Sequence, residues 1–155
     1  MNDAEVLARL SELGIELPPP PQALAAYVPA RRVGDLVFVA GQVPLVDGVL
    51  LHPGLLGDGI SVEQGADAAR RAAVQSLAAL RGLLGSFDAL EAIAQLSVFV
   101  AAAPGFTEHP QVANGASELF AQALGHAGEH ARAAVGVTSL PLGASVEVAV
   151  IAVVR

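Results

Sequence analysis

Apolar positions recur along this chain with two different periods, and each change of period marks a new element. In DAEVLARLSEL (3–13), Val6, Leu7, Leu10 and Leu13 fall on one helical stripe that Gly14 stops. The LPPPPQ run behind it admits neither helix nor paired strand, because consecutive prolines fix φ and lack N–H donors. Residues 1–22 are therefore expected to be a helical appendage with a Pro-rich lead-in, and residues 23–155 the core of one domain. Two extended runs, ALAAYVPARRV and LVFVAG, flank Gly34-Asp35 as a hairpin, with Pro29 suited to an edge or bulge. Residues 43–60 are rich in Gly, Pro and Asp and are expected to form a long surface loop.

The helical period returns at Ser61, where SVEQ has the hydroxyl and the glutamine of a capping box. Ala66, Ala69, Ala73, Leu77, Leu80 and Leu84 continue it as a small-residue stripe suited to close packing on a sheet. AIAQLSVFVA (92–101) then reads as a strand. Pro110 marks the first turn of another helix, with Val112, Ala116, Leu119, Phe120, Ala123 and Leu124 on its stripe. Asn114-Gly115 resembles a hairpin turn, but the surrounding helical period overrules it. Two last strands, 132–140 and 145–154, flank a Pro-Leu-Gly turn and are expected to pair as a hairpin. In the final strand both alternating sets of side chains are apolar apart from Glu147, so both faces are expected to be buried. The order ββ-α-β-α-ββ predicts an α+β fold: a mainly antiparallel sheet with both helices on one face, and a second copy covering the other.

Composition narrows the chemistry. At 54% hydrophobic and 15% charged residues, the chain is too apolar for disorder and favours self-association. Apolar runs end well short of the ~20 residues of a membrane helix, and MNDAEVLARL lacks a basic lead, so a soluble cytoplasmic protein without membrane contact is expected. Without cysteine there is no disulfide, thiolate nucleophile or sulfur metal ligand, and without lysine no Schiff base. A formal net charge of −7 opposes nucleic-acid partners. No nucleophile elbow, Walker loop or strand-linked dinucleotide fingerprint occurs, and no cofactor is expected.

The candidate reactive groups are few. His126-Ala-Gly-Glu129-His130 spells an inverted zincin motif, but Gly125 and Gly128 interrupt any helix and no third ligand is suitably spaced, so no metal is expected. His52 and His109 stand alone. Arg132 opens an apolar strand, where a guanidinium must reach water or hold an anion. Glu147 lies within an apolar strand, so its carboxyl is either paired or raised in pKa, the condition for acid/base work near neutrality. In the expected hairpin Glu147 opposes Thr138, roughly 20 Å from Arg132 at about 3.3 Å per residue. The two groups would then meet only across a subunit interface.

The run A131-R132-x-x-V135-x-V137-x-x-L140-P141-x-x-x-x-V146-E147-V148, together with GDLVFVAGQ (34–42) and Tyr27 seven residues before Gly34, resembles the Rid family of reactive-intermediate imine deaminases, also called the YjgF family. The likeness covers about residues 23–155. It implies a chorismate-mutase-like α+β fold and a homotrimer with its sites in the clefts between subunits. In such a site Arg132 would grip the carboxylate of a 2-imino acid by a two-pronged salt bridge. Glu147 would orient or activate the water that hydrolyses C=N to a 2-keto acid and ammonia. Tyr27 and Asn114 match positions that line or buttress the cleft, and Gly41 belongs to the Gly-Gln pair beside it. This chain departs from the family pattern at Ala40, where many members carry Ser or Thr, and at Ala134, where many carry Cys. The N-terminal helix and the GASELF segment are similar to those of a longer, less characterised branch. A non-catalytic trimer that binds or senses a small carboxylate is the alternative to an imine hydrolase. Ribonuclease or translation-inhibiting activity, which some relatives carry, is disfavoured by the acidic balance and the lack of lysine.

Overall fold

The computed structural model describes residues Met1–Arg155. Two α-helices pack on one face of a five-stranded sheet, as expected, and the N-terminal helix packs against one of them. This N-terminal helix, α1 (Asp3–Glu12), is capped by Asn2, whose side chain accepts from the Glu5 N–H at 2.9 Å. It is no appendage: Val6 and Leu10 are buried in the main core. Asp3 anchors its start, taking Nε and Nη2 of Arg81 at 2.9 and 2.8 Å and the Phe87 N–H at 2.9 Å. These bonds, the one to Arg81 foremost, hold the Asp3 carboxyl below its ordinary pKa.

The first hairpin forms as expected. β1 (Ala30–Val33) and β2 (Leu36–Gln42) pair across Gly34-Asp35, with Val33 opposite Leu36 and Gly34 at φ 61°. The expected loop 43–60 instead carries two short ribbons, β3 (Leu45–Val46) with β4 (Val49–Leu50) and β5 (Leu55–Leu56) with β6 (Gly59–Ile60). Leu56 drops from it into the core. Both halves of the capping box form at Ser61, and α2 (Val62–Leu84) ends at Gly85 with φ 80°. A Cβ on Gly115 of α3 (His109–Leu124) would strike the Ala66 carbonyl oxygen, so the residue that resembled a turn signal is where α3 crosses α2.

The sheet order is β1-β2-β9-β7-β8, with β7 spanning Leu90–Ala101, β8 Ala131–Val137 and β9 Val146–Val154. The expected hairpin of the last two strands does not form. Because α3 connects β7 to β8, those strands run parallel and β8 becomes the edge. The chain then crosses the end of β7, through a 3-10 turn at Pro141–Gly143, and β9 inserts antiparallel between β7 and β2. In β9, Val146, Val148, Val150, Ala152 and Val154 are buried beneath the helices. The opposite set is only half-buried, and Leu36, Phe38 and Val135 on that face are exposed, so nothing in one chain covers it.

Two substitutions test whether α1 belongs to the core. Leu10→Ala should cost about 2–4 kcal/mol in thermal unfolding, the range for a buried leucine, whereas an undocked helix would lose nothing measurable. Asp3→Asn should cost about 1 kcal/mol at neutral pH, because the ion pair is partly exposed. A carboxyl whose folded pKa is lowered stabilises above its unfolded value, and that stability is lost as pH falls through the folded value. The gap between the wild-type and Asp3→Asn melting temperatures should therefore close below about pH 4.

Candidate functional site

The candidate residues separate into two groups on opposite faces of the sheet. Arg132 pairs in register with the buried Leu96 of β7, which puts it on the helix face. Its Nη1 donates to Asn114 Oδ1 at 2.8 Å and Ser117 Oγ at 3.1 Å, and its Nη2 to the Pro110 carbonyl at 3.4 Å. Pro110, Asn114 and Ser117 follow at spacings of four and three, so a single side of α3 presents all three oxygens. Ser117 has a further partner in His130, whose Nε2 lies 2.9 Å from the hydroxyl and whose Nδ1 lies 2.6 Å from the Gly128 carbonyl. A carbonyl only accepts, so Nδ1 carries a proton; in the neutral ring Nε2 then accepts from Ser117, whose lone pair is left for Arg132. Both Nη1 hydrogens are thereby engaged. The edge formed by Nε–H and the second Nη2 hydrogen has no protein partner, and this is the edge with which Arg81 grips Asp3. Ala134, two residues on, shares the helix face and packs against the core.

Glu147 pairs with Phe99 of β7 and points the other way, away from the helices. A β-bulge makes its seat. Val39 opposes Val150 and Gln42 opposes Val148, so Ala40 and Gly41 together stand against Ala149. A Cβ on Gly41 would lie 2.6 Å from Cδ and 2.9 Å from Oε2 of Glu147, so only glycine lets the carboxyl lie there. No arginine or histidine pairs with it, and burial pushes its pKa above the ordinary carboxylate value. Of the two environments open to Glu147 from sequence, the desolvated one holds. A cavity of about 310 Å³ opens beside the carboxyl, lined also by Tyr27, Gly41, Val43, Leu45 and Leu142. The Tyr27 hydroxyl accepts a long bond from the Leu24 N–H at 3.4 Å. Ala40 lies at the bulge outside the cavity lining, its N–H bonded to the Pro29 carbonyl at 2.9 Å.

Tyr27, Gly41 and Glu147 thus share one site, and Arg132, Asn114 and Ala134 another. The hairpin register offered for their separation is wrong, because β7 lies between β8 and β9. From Leu96 to Phe99 is about 10 Å along the strand and two strand spacings add about 10 Å across, so the two Cα atoms lie roughly 14 Å apart with side chains diverging. The H-x-x-E-H run also divides: His126 pairs with Glu129 at 3.1 Å on the surface, while His130 turns in to Ser117. Sequence reasoning missed Ser117. Its spacing from Asn114 along a polar row of α3, opposite the apolar stripe, was the available signal.

Comparison with known proteins bears on the whole chain. The family described as "YjgF/chorismate mutase-like, putative endoribonuclease" matches residues 7–154. Protein TCP17 of Trypanosoma cruzi is 42% identical over 144 residues, covering 92% of this chain and 90% of that protein. The crystal structure of Atu1372 from Agrobacterium tumefaciens, a protein of unknown function, superposes with a TM-score of 0.93 at 40% identity, covering 99% of this chain and 95% of that one. A "putative endoribonuclease" from Shewanella oneidensis gives 0.93 at 32% identity, covering 96% and 99%.

Gly41→Ala should fold but displace the Glu147 carboxyl from its seat. An NMR titration of that carboxyl should then return toward the ordinary glutamate value of about 4.3. An unchanged raised value would show that the bulge does not hold it.

Proposed function

The chain belongs to the YjgF/chorismate mutase-like family, and on that premise we propose that it hydrolyses 2-imino acids in clefts between copies of itself. The observation that carries this reading is the state of Arg132: α3 fixes one end of its guanidinium and leaves open the Nε/Nη2 edge. That edge matches a carboxylate with two parallel, charge-assisted hydrogen bonds. A fixed fork loses little entropy on binding, whereas a free side chain would first have to be ordered.

Glu147 supplies the proton chemistry. Water adds to the imine carbon while the carboxylate takes a proton from it. The proton passes to nitrogen, C=N gives way to C=O, and ammonia leaves: R–C(=NH)–COO⁻ + H2O → R–CO–COO⁻ + NH3. The substrate is already electrophilic, so positioning and one acid/base group suffice, and neither lysine nor cysteine is needed. A raised pKa brings the carboxyl nearer the working pH.

Within one chain Arg132 and Glu147 are too far apart and face opposite ways, so the site needs Arg132 from one copy and Glu147 from the next. The uncovered apolar face around Phe38 and Val135 gives copies a reason to associate, and a closed homotrimer would bury it. Cleavage of RNA is the weaker reading. Arg70 bonds Gln122 and Arg71 bonds the Leu45 carbonyl, so this adjacent arginine pair is already occupied by the fold.

The test is keto-acid release from an imine generated in situ by an amino-acid oxidase. Arg132→Ala should lower kcat/KM by about 100-fold or more and Glu147→Gln by about 100- to 10,000-fold; undiminished turnover in either would overturn the mechanism. The base form of Glu147 is the active one, so wild-type activity should fall as pH drops through a value above about 4.3. Light scattering should give the mass of three chains.

A further inference from the structure

We infer that the cavity beside Glu147 is a side-chain pocket built by the Pro-rich lead-in for a branched or aromatic apolar group, which makes bulky 2-imino acids the substrates in place of the one- and two-carbon ones; this rests on the reading of the site given above.

Four features support it. The first is size: about 310 Å³ is roughly twice the 150 Å³ of an engineered apolar cavity that binds benzene, so a water and a ring or branched chain fit together. The second is polarity. Glu147 is the one charged residue of the lining, and a second carboxylate on the substrate would meet its repulsion. The remaining polar side chains are Gln22, Gln42, whose Nε2 turns to the Ala40 carbonyl at 3.1 Å, and Tyr27, whose hydroxyl takes the Leu24 N–H, and the other lining residues offer no polar side chain. A polar substrate side chain would thus lose water and gain little.

The third feature is that the wall is held at both ends. Pro20 rests on α2 where Gly82 leaves room, since a Cβ there would lie 2.6 Å from the proline ring. At the other end the Pro29 carbonyl takes the Ala40 N–H at 2.9 Å. Between these anchors the chain from Pro21 to Tyr27 forms one side of the cavity, and the prolines at its two ends, Pro20, Pro21 and Pro29, restrict the backbone there before any ligand arrives. The fourth is exposure. Leu24 is 61% and Tyr27 47% exposed, although both line the cavity. Apolar surface left open at a cavity mouth, and contributing little to the core, gains on contact with an apolar ligand.

The 2-oxo acid products serve as probes, because their binding is read without turnover. Isothermal titration of the full-length protein should give 4-methyl-2-oxopentanoate an affinity about 10- to 50-fold above that of pyruvate, the range for three added buried carbons. Leu24→Trp, at an exposed position that folding does not depend on, should fill the pocket and bring the ratio to about one. Equal affinity in the wild type, or a preference that survives Leu24→Trp, overturns the pocket assignment while leaving the clamp intact. If neither acid binds, or both bind Arg132→Ala as well as wild type, the reading of the site itself fails and the pocket assignment with it.

Discussion

The guanidinium of Arg132 is held by one side of one helix, and the proposed chemistry follows from that constraint. Pro110, Asn114 and Ser117 take up part of its donor set, and the edge they leave is the one that fits a carboxylate. The hold is itself supported. His130, fixed by the Gly128 carbonyl, settles which way the Ser117 hydroxyl points and so keeps a lone pair toward the arginine. Arginine is needed for this, because a lysine could not be gripped at one end and offer two parallel donors at the other.

The sheet then decides where the second group can be. In β9, inserted between β2 and β7, pairing with Phe99 puts Glu147 on the face away from the helices, and in β8, beyond β7, pairing with Leu96 keeps Arg132 on theirs. Glu147 comes to lie half-buried without a counter-charge, in a seat that exists because the bulge sets Gly41 beneath it. One face of the sheet thus carries an open guanidinium edge and the other a desolvated carboxyl beside an apolar cavity. On the proposed mechanism neither is a complete site in one chain. The uncovered apolar strands would give one copy a reason to associate with another, as the proposed site requires.

Much of this was legible in the sequence where local rules decide. The Ser61 capping box, the stripes of α2 and α3 and the Gly34-Asp35 turn form because each depends on neighbours within a few residues. Strand order does not. The Pro141-Leu142-Gly143 turn has the chemistry of a hairpin, but β7-α3-β8 is a crossover unit, and the parallel pairing it forces pushes β9 to the far side of β7. The docking of α1 was hidden by the Pro run behind it, although Val6 and Leu10 already showed the stripe that is buried. Glu147 stood out because a carboxylate in an apolar strand needs an explanation. Arg132 stood out through its motif, yet the residues that orient it lie on another element, and Ser117 carries no signature of its own. Gly115 resembled a turn signal for a definite reason, since a helix crossing and a tight turn both require the missing side chain, and the helical period around it decided correctly.

The central claim is that a working site joins Arg132 of one copy to Glu147 of another, and mixing two inactive variants tests it most directly. Arg132→Ala and Glu147→Gln protein, unfolded together in equal amounts and refolded, should regain about a quarter of wild-type imine hydrolysis, because one cleft in four then receives both intact groups. A mixture that stays as inactive as its components, despite forming mixed assemblies, would contradict the account.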